Sequence, residues 1–210
     1  MSRPNTKMKI LLIDNNTKHL PELTKALAGH DIEQVAYMPG RRFGTADKDL
    51  IVLSGGGGEG NEINDRQAQG GLWYEDELRL VQKINKPIVG ICMGFEVIAR
   101  AFGAEVKPAG RLIKGWCWVN ATTAGQQAFG QNRLKQYEAH RWCAPSAPAG
   151  FKVLAGSASG VEIMAHQSRP IIAVQFHPEV AGGSLNLGQI IDLVLSAAPA
   201  GKPMSVHAAS

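Results

Sequence analysis

The sequence predicts an α/β fold: a three-layer, mainly parallel open sheet with helices on both faces and a small antiparallel section in the second half. Two patterns predict it. In the first half, short apolar runs alternate with segments of helical spacing, which is the order of β-α-β units in a parallel sheet. In the second half, short strand-like runs are separated by glycine, proline and serine, as in antiparallel strands joined by turns.

The first half divides into four predicted strands and three predicted helices. Apolar runs that predict buried strands cover residues 8–13, 32–37, 50–53 and 87–91, and helical patterns cover 20–27, 73–84 and 93–102. Gly29 closes the first helix. Within the second, Leu78, Val81 and Ile84 repeat at the spacing of one helix face.

The second half is predicted to contain five short strands and a closing helix. The strands are residues 116–119, 134–140, 151–155, 161–165 and 171–175, and the helix covers 185–196. Trp116, Trp118 and Trp142 are expected to pack in or against this antiparallel section. Because no linker divides the chain, residues 1–197 are predicted to form one domain and the Ala-, Pro- and Ser-rich residues 198–210 a disordered tail.

Composition and charge argue against several classes of protein. Of the 210 residues, 44% are hydrophobic and 19% charged, and the formal net charge is +4, as in a globular protein with a sizeable core. Basic residues are scattered without interleaved aromatics, which argues against nucleic-acid binding. No apolar run approaches the roughly 18 residues of a membrane helix, and the polar N terminus lacks a signal-peptide core. We therefore expect a cytoplasmic location and no membrane association.

The spacing of cysteine and histidine supports neither a disulfide framework nor a metal site. The three cysteines, at positions 92, 117 and 143, contain no Cys-x-x-Cys pair. The six histidines contain no pair four residues apart, the spacing that places two ligands on one helix face. We therefore expect neither a metal ion nor a cofactor.

The segment Gly-Ile-Cys-Met-Gly, residues 90–94, has the features of a catalytic nucleophile. It joins a predicted strand to a predicted helix, so Cys92 lies at a sharp turn where flanking glycines relieve steric clashes. The free N–H groups and the dipole of the helix are expected to favour the thiolate, which is the reactive form. Considered alone, the segment is equally compatible with a buried structural cysteine.

The segment Phe-His-Pro-Glu, residues 176–179, supplies a candidate base. His177 follows an apolar strand, at the end where parallel sheets bind ligands. Glu179 lies two residues further on, and a carboxylate beside an imidazole holds the tautomer whose other nitrogen faces a nucleophile. Alone, the same segment fits a solvated surface loop.

A third segment, Leu-Ser-Gly-Gly-Gly-Gly at residues 53–58, places main-chain N–H groups at the end of another strand. Such a loop can cradle a phosphate or form an oxyanion hole, or it can be a plain surface loop. No Lys-Ser or Lys-Thr follows the glycines, which excludes a P-loop.

In this order, the three segments resemble those of the class I (triad) glutamine amidotransferases. That family carries Leu-Ser-Gly-Gly, Gly-Ile-Cys-x-Gly and Gln-Phe-His-Pro-Glu, each after a strand, and here they occupy residues 53–56, 90–94 and 175–179. The resemblance extends from Lys9 to about Leu195 and implies the flavodoxin-like fold of the family. Within the family, residues 161–180 are most similar to the separate glutaminase subunits of GMP synthases.

The resemblance implies a role for each central residue. Cys92 would attack the side-chain amide of L-glutamine to form a thioester. His177 would protonate the departing ammonia and then activate water, and Glu179 would orient His177. The backbone N–H groups of Gly56 and Met93 match the family's oxyanion hole. Since the chain has no room for an acceptor domain, ammonia would pass to a separate synthase polypeptide.

Three further positions are candidates for substrate contacts. Relatives usually carry Gln four residues after the cysteine, where this chain has Glu96, and a carboxylate would attract the substrate α-ammonium and repel its α-carboxylate. Gly57 stands where the family often has Pro, which should loosen the oxyanion loop. His140 lies near a pair that adjoins the glutamine in relatives, or it is an ordinary strand-end histidine.

Two other functions are compatible with the sequence. The same triad would serve a stand-alone hydrolase of a γ-glutamyl amide or peptide, an alternative that Glu96 favours. The scaffold would also suit a non-catalytic regulatory module, against which the intact Cys92, His177 and Glu179 argue. The sequence does not identify the ammonia acceptor, because one fold serves many synthases.

Overall fold

The computed structural model describes residues 7–56 and 72–197, and no helix in these ranges is long and apolar enough to cross a membrane. Its strands are β1 (Lys9–Asn15), β2 (Asp31–Ala36), β3 (Leu50–Gly56), β4 (Ile88–Ile91), β5 (Lys107–Ala121), β6 (Arg133–Cys143), β7 (Phe151–Ser157), β8 (Gly160–His166) and β9 (Ile171–Val174). Its helices are α1 (Leu20–Ala26), α2 (Glu75–Lys83), α3 (Met93–Ala101), α4 (Thr123–Phe129) and α5 (Leu187–Ala197). The predicted tail, residues 198–210, lies outside the described residues.

The nine described strands form one sheet whose two halves differ in strand direction. β2, β1, β3, β4 and β9 are parallel neighbours in that order. β8, β7, β5 and β6 then continue the sheet with antiparallel pairing. The predicted α/β class is confirmed, and the antiparallel section is longer than expected because β5 begins at Lys107 rather than at residue 116.

Helices cover both faces of the parallel half, as predicted. Successive residues of β1 point to opposite faces of the sheet. Ile10 and Leu12 share a core with α1 and α5, whereas Leu11 and Ile13 share one with α2 and α3. Burial on both faces explains why the central strands are continuous apolar runs rather than alternating patterns.

Helix α4 is absent from the sequence-based prediction. Its seven residues contain Gly125, which weakens the helical pattern. Two capping signals were nevertheless present in the sequence. The Thr122 side chain accepts a hydrogen bond from the Gly125 N–H at 3.2 Å, and Gly130 ends the helix with φ 68°.

Trp116 and Trp118 pack against side chains of the antiparallel section, as expected, but on its exposed face. Both side chains lie on the outer face of β5 and are 43% and 54% exposed. The reason is the strand alternation: residues 112, 114, 116 and 118 face outward, while Cys117 and Val119 face inward. Trp142, by contrast, is half-buried against the core.

The parallel half brings the three segments of interest to one edge of the sheet. β1, β3, β4 and β9 are neighbours, and their carboxyl ends lead into Thr17, Gly56, Cys92 and His177, respectively. This is the edge at which open parallel sheets bind ligands.

Candidate active site

Cys92 lies at the turn between β4 and α3, in a strained backbone conformation. Its φ is 50° and its ψ is −101°, which few non-glycine residues adopt. Its N–H donates to the Val174 carbonyl at 2.8 Å and ties the turn to β9. The flanking glycines are sterically required, because a Cβ on Gly90 would lie 2.5 Å from the Gly94 carbonyl and one on Gly94 would overlap the Leu53 carbonyl.

His177 and Glu179 form a buried, hydrogen-bonded pair just beyond β9. Nδ1 of His177 lies 2.8 Å from Oε1 of Glu179. A carboxylate only accepts, so Nδ1 carries the proton and Nε2 of the neutral ring is left as an acceptor. The N–H of His177 also donates to the Tyr137 carbonyl at 2.9 Å, which anchors the segment to β6. The arrangement suits a base and the carboxylate that orients it.

Cys92 and His177 open into the same cavity of about 320 Å³. Both approach Gly55, where a Cβ would lie 3.0 Å from Cε1 of His177 and 3.6 Å from the Cβ of Cys92. The thiol and the imidazole therefore lie together beside the end of β3. The cavity is also lined by four other candidate residues, Gly56, Met93, Glu96 and His140. Gly57, the remaining candidate, lies outside the described residues.

The peptide between Gly55 and Gly56 is held in one orientation. The Ser54 hydroxyl donates to the Gly55 carbonyl at 2.7 Å and accepts from the Asn15 N–H at 2.9 Å. In a trans peptide the N–H points opposite to the carbonyl, so the Gly56 N–H is directed away from Ser54. The loop is tight, since a Cβ on Gly56 would overlap Sδ of Met93.

The thiol of Cys92 is protonated in the free chain. Burial raises its pKa well above the usual value, and the charges of Glu96, Glu179 and Glu138 raise it further. The Met93 N–H lowers the pKa, but by less than these effects raise it. The predicted effect of the helix N terminus is therefore present, through the Met93 N–H, but burial and the three carboxylates outweigh it in the free chain. The thiolate must form by proton transfer to a base during the reaction.

Glu96 is buried at the cavity wall, one turn into α3. Its Oε1 accepts a hydrogen bond from Nε2 of Gln175 at 3.3 Å, and the residue is 6% exposed. The structure thus places an acidic side chain beside the cavity where relatives usually carry an amide.

The two ring nitrogens of His140 face other groups of β6. Nδ1 lies 2.7 Å from the Trp142 carbonyl, and Nε2 lies 3.3 Å from Oε2 of Glu138. His140 lines the cavity, and both ring nitrogens face groups of its own strand.

Sequence reasoning missed His19 and Thr17, which also line the cavity. The His19 ring lies 4.5 Å from the His177 ring, centroid to centroid. Burial and the nearby charge of His177 lower the pKa of His19, which favours its neutral form. No glycine pattern marks these residues, and the available signal was only their position directly after the first parallel strand.

Two known proteins are similar to this chain in sequence. A glutamine-hydrolyzing GMP synthase subunit of Sulfolobus acidocaldarius is 30% identical over 177 residues, which cover 83% of this chain and 89% of the relative. The corresponding protein of Saccharolobus solfataricus is 32% identical over 135 residues, or 63% and 68% of the two chains.

Structural similarity extends over nearly the whole chain. A candidate GMP synthase subunit of Thermoplasma acidophilum, known from a crystal structure, has a TM-score of 0.70 at 28% identity, over 91% of this chain and 96% of that one. The family model "Glutamine amidotransferase class-I" matches residues 11–192, a range that contains all three segments of the site. The chain therefore belongs to the class I glutamine amidotransferase family.

Proposed function

We propose that this chain hydrolyses the side-chain amide of L-glutamine through a Cys92 thioester and delivers the ammonia to a separate synthase subunit. The observation that carries the proposal is the shared cavity, into which Cys92 opens beside the His177–Glu179 pair. The similarity to proteins named as glutamine-hydrolyzing GMP synthase subunits supports the choice of substrate.

In the first half-reaction, Nε2 of His177 takes the thiol proton of Cys92. The sulfur attacks the amide carbon, and the carbonyl oxygen becomes an oxyanion that accepts hydrogen bonds from the N–H groups of Gly56 and Met93. The tetrahedral intermediate collapses when its C–N bond breaks, and His177 returns the proton to the leaving nitrogen. Ammonia departs, and a γ-glutamyl thioester remains on Cys92.

In the second half-reaction, His177 removes a proton from water, and the resulting hydroxide attacks the thioester carbon. The C–S bond breaks, and the proton on His177 passes to the thiolate of Cys92. Glutamate leaves, and the free enzyme is restored. Glu179 keeps Nδ1 protonated throughout, so that Nε2 is the atom that exchanges protons.

Glu96 fits the recognition of the substrate amine. Its carboxylate lies at the wall of the cavity that holds Cys92, and it attracts an α-ammonium group more strongly than the usual amide would. We therefore assign the α-ammonium end of glutamine to Glu96.

The ammonia acceptor belongs to a second polypeptide, as the subunit designation of the relatives supports. Ammonia released into water is diluted and protonated, so the acceptor must cover the cavity mouth. We place both proteins in the cytoplasm, because the reaction needs a reduced thiol and all three cysteines are free.

The outer face of β5 and β6 is the surface best suited to this partner. Trp116 and Trp118 are exposed there. The Arg133 guanidinium lies 4.9 Å from the Trp118 ring centroid, and the Lys135 ammonium lies 5.6 Å from that of Trp116. An apolar centre with a cationic rim complements an acidic partner surface that has an apolar patch.

This outer face is continuous with the cavity. The Trp116 ring contacts Tyr137 with 5.6 Å between ring centroids, and Tyr137 lies 6.5 Å from the His177 ring. Tyr137 and Lys114 also line the cavity. A partner bound on this face therefore reaches the point where ammonia emerges.

The decisive test is the Cys92→Ala variant of the full chain. Glutamate release from glutamine should fall to background, while the circular dichroism spectrum stays that of the wild type. Cys117→Ala is the matched control, because Cys117 faces the inner side of β5, and it should retain full activity.

Turnover measured on both glutamine and a γ-glutamyl peptide distinguishes the proposed function from a stand-alone hydrolase. Glutamine turnover that rises when the separate GMP synthase subunit is added supports the proposal. Rapid turnover of a γ-glutamyl peptide by the isolated chain, with little turnover of glutamine, would replace it. Glutaminase activity that survives in Cys92→Ala would overturn the assignment of the nucleophile.

A further inference from the structure

Three buried ionisable side chains meet behind the cavity wall. Glu138 and His140 lie two residues apart on β6 and therefore point to the same face, and Glu162 comes from β8. The two strands are not neighbours in the sheet, so the curvature of the antiparallel half brings them together. One ligand atom from each residue lies within 4.8 Å of the others, and the three side chains are 1%, 4% and 2% exposed.

The cluster contains acceptors without donors. Nδ1 of His140 faces the Trp142 carbonyl at 2.7 Å, and a carbonyl only accepts, so Nδ1 carries the ring proton. Nε2 of the neutral ring then presents a lone pair toward Oε2 of Glu138, which is another acceptor. Within the described residues, both oxygens of Glu138, Oε2 of Glu162 and Nε2 of His140 have no hydrogen-bond partner.

A positive charge is therefore needed between these groups. Two buried carboxylates without a cation carry a large desolvation cost. Either two protons or one divalent cation would neutralise the pair.

The distance between the His140 and Glu138 ligand atoms is compatible with a bridging cation. A proton shared between imidazole and carboxylate makes a charge-assisted hydrogen bond of about 2.7–2.9 Å. The separation of Nε2 of His140 from Oε2 of Glu138 is 3.3 Å. Ligand atoms about 2.0 Å from a tetrahedral zinc ion are separated by roughly 3.3 Å.

The surrounding contacts match those of metal ligands. A metal-bound histidine commonly donates its other N–H to a backbone carbonyl, as His140 does to Trp142. Ligating carboxylates are likewise held by hydrogen bonds, and the Ser157 hydroxyl donates to Oε1 of Glu162 at 2.5 Å. This leaves Oε2 of Glu162 available to an ion.

We propose that Glu138, His140 and Glu162 form a binding site for one divalent transition-metal ion, with Zn²⁺ as the best fit to an N/O ligand set. The site has a structural role in the cavity wall. Ala139, which lies between two of the ligands, presents its carbonyl 3.9 Å from Sγ of Cys92. An ion that joins β6 to β8 would therefore fix the wall against which the thiol lies. The search of the sequence for two histidines four residues apart did not reveal this site, because its ligands come from two strands.

The test is zinc binding by the full chain after treatment with EDTA and dialysis. Titration calorimetry and elemental analysis should give one Zn²⁺ per chain, and zinc should raise the melting temperature. Glu138→Gln and Glu162→Gln should each weaken zinc affinity at least tenfold. His30→Asn, which changes a histidine remote from the cluster, should leave affinity unchanged.

X-ray absorption at the zinc edge identifies the ligands independently of any variant. The site predicts only nitrogen and oxygen neighbours at about 2.0 Å and no sulfur at about 2.3 Å. A sulfur neighbour would assign the ion to a cysteine and overturn the proposal. So would a wild-type chain that binds no zinc, which would leave protons as the neutralising charge, or unchanged affinity in both folded glutamine variants.

Discussion

Cys92 is subject to two opposing influences at the residue scale. The Met93 N–H at the start of α3 favours its thiolate, but burial and three carboxylates oppose the negative charge. Burial has the largest effect on the thiol pKa, and the carboxylates add to it because the cavity excludes the water that would screen them. In the proposed mechanism, the thiolate therefore forms only when His177 accepts the proton of Cys92.

The first residue-scale prediction concerns Glu96. Glu96→Gln removes a negative charge that raises the thiol pKa, so the pKa of Cys92 should fall and the thiolate fraction at pH 7.5 should rise. The rate of alkylation by iodoacetamide should increase several-fold, since each pKa unit is a factor of ten in thiolate below the pKa. The measurement is the alkylation rate across pH 6–10.

The matched control is Glu105→Gln, which removes an exposed carboxylate that is not among the main influences on the Cys92 thiol. Its alkylation profile should superimpose on that of the wild type. If Glu96→Gln gave the same profile as this control, Glu96 would carry no charge that the thiol senses.

At the element scale, a buried carboxyl joins α2 to the strand ends beneath the site. Glu77 is fully buried and accepts a hydrogen bond from Nδ2 of Asn15 at 3.0 Å. Asn15 in turn donates its N–H to Ser54, the residue that orients the Gly55 peptide. The helix, β1 and β3 are thus connected by one polar chain that ends at the proposed oxyanion loop.

Glu77 should make the free energy of unfolding depend on pH. Burial raises its pKa from 4.5 to about 8, against the opposing Asn15 hydrogen bond. Between these values the folded chain holds a proton that the unfolded chain releases, so stability declines as pH rises from 4.5 to 8. Glu77→Gln keeps the acceptor and removes the titration. Its stability relative to the wild type should therefore grow by about 3 kcal/mol from pH 5 to pH 8.

Urea unfolding at several pH values measures this difference. The Glu105→Gln variant serves again as the reference, and its difference from the wild type should not vary with pH in this range. A constant difference for Glu77→Gln would mean that Glu77 is already ionised in the folded chain.

The elements that bear the site were predictable, because local sequence decides them. The apolar runs before residues 53–58, Cys92 and His177 predict the strands, and the strand order then brings their ends together. The element that the prediction omitted, α4, is short and contains a glycine. The early part of β5 was missed because Pro108, Gly110 and Gly115 interrupt its pattern.

At the scale of the whole molecule, the outer face of β5 and β6 predicts where the synthase binds. Trp118→Ala removes an exposed aromatic side chain outside the cavity lining. Its affinity for the purified GMP synthase subunit should fall at least tenfold, as for an aromatic anchor at the centre of an interface. Intrinsic glutaminase activity should stay within twofold of the wild type.

Met38→Ala is the matched control, since Met38 is 59% exposed and follows β2, at the opposite edge of the sheet. Calorimetric titration should give wild-type affinity for this variant. Equal affinities for the two variants would place the partner on another surface.

Contacts between residues that are far apart in the sequence were the hardest to predict from it. His19 meets His177, and Glu162 meets Glu138, only because distant strands are neighbours or because the sheet curves. The raised thiol pKa has the same origin, since it combines burial in the folded chain with charges from α3, the loop after β9 and β6. A linear pattern identifies Cys92 as a nucleophile but contains no measure of its surroundings.

The buried, neutral thiol has a consequence for oxidative damage. Peroxide attacks thiolates, and susceptibility follows thiolate character and exposure. Cys92 is 5% exposed, and its pKa is raised. The resting protein therefore holds its proposed nucleophile in a form that resists conversion to sulfenic acid. In the proposed mechanism, the sulfur is vulnerable only for the brief interval in which it is a thiolate.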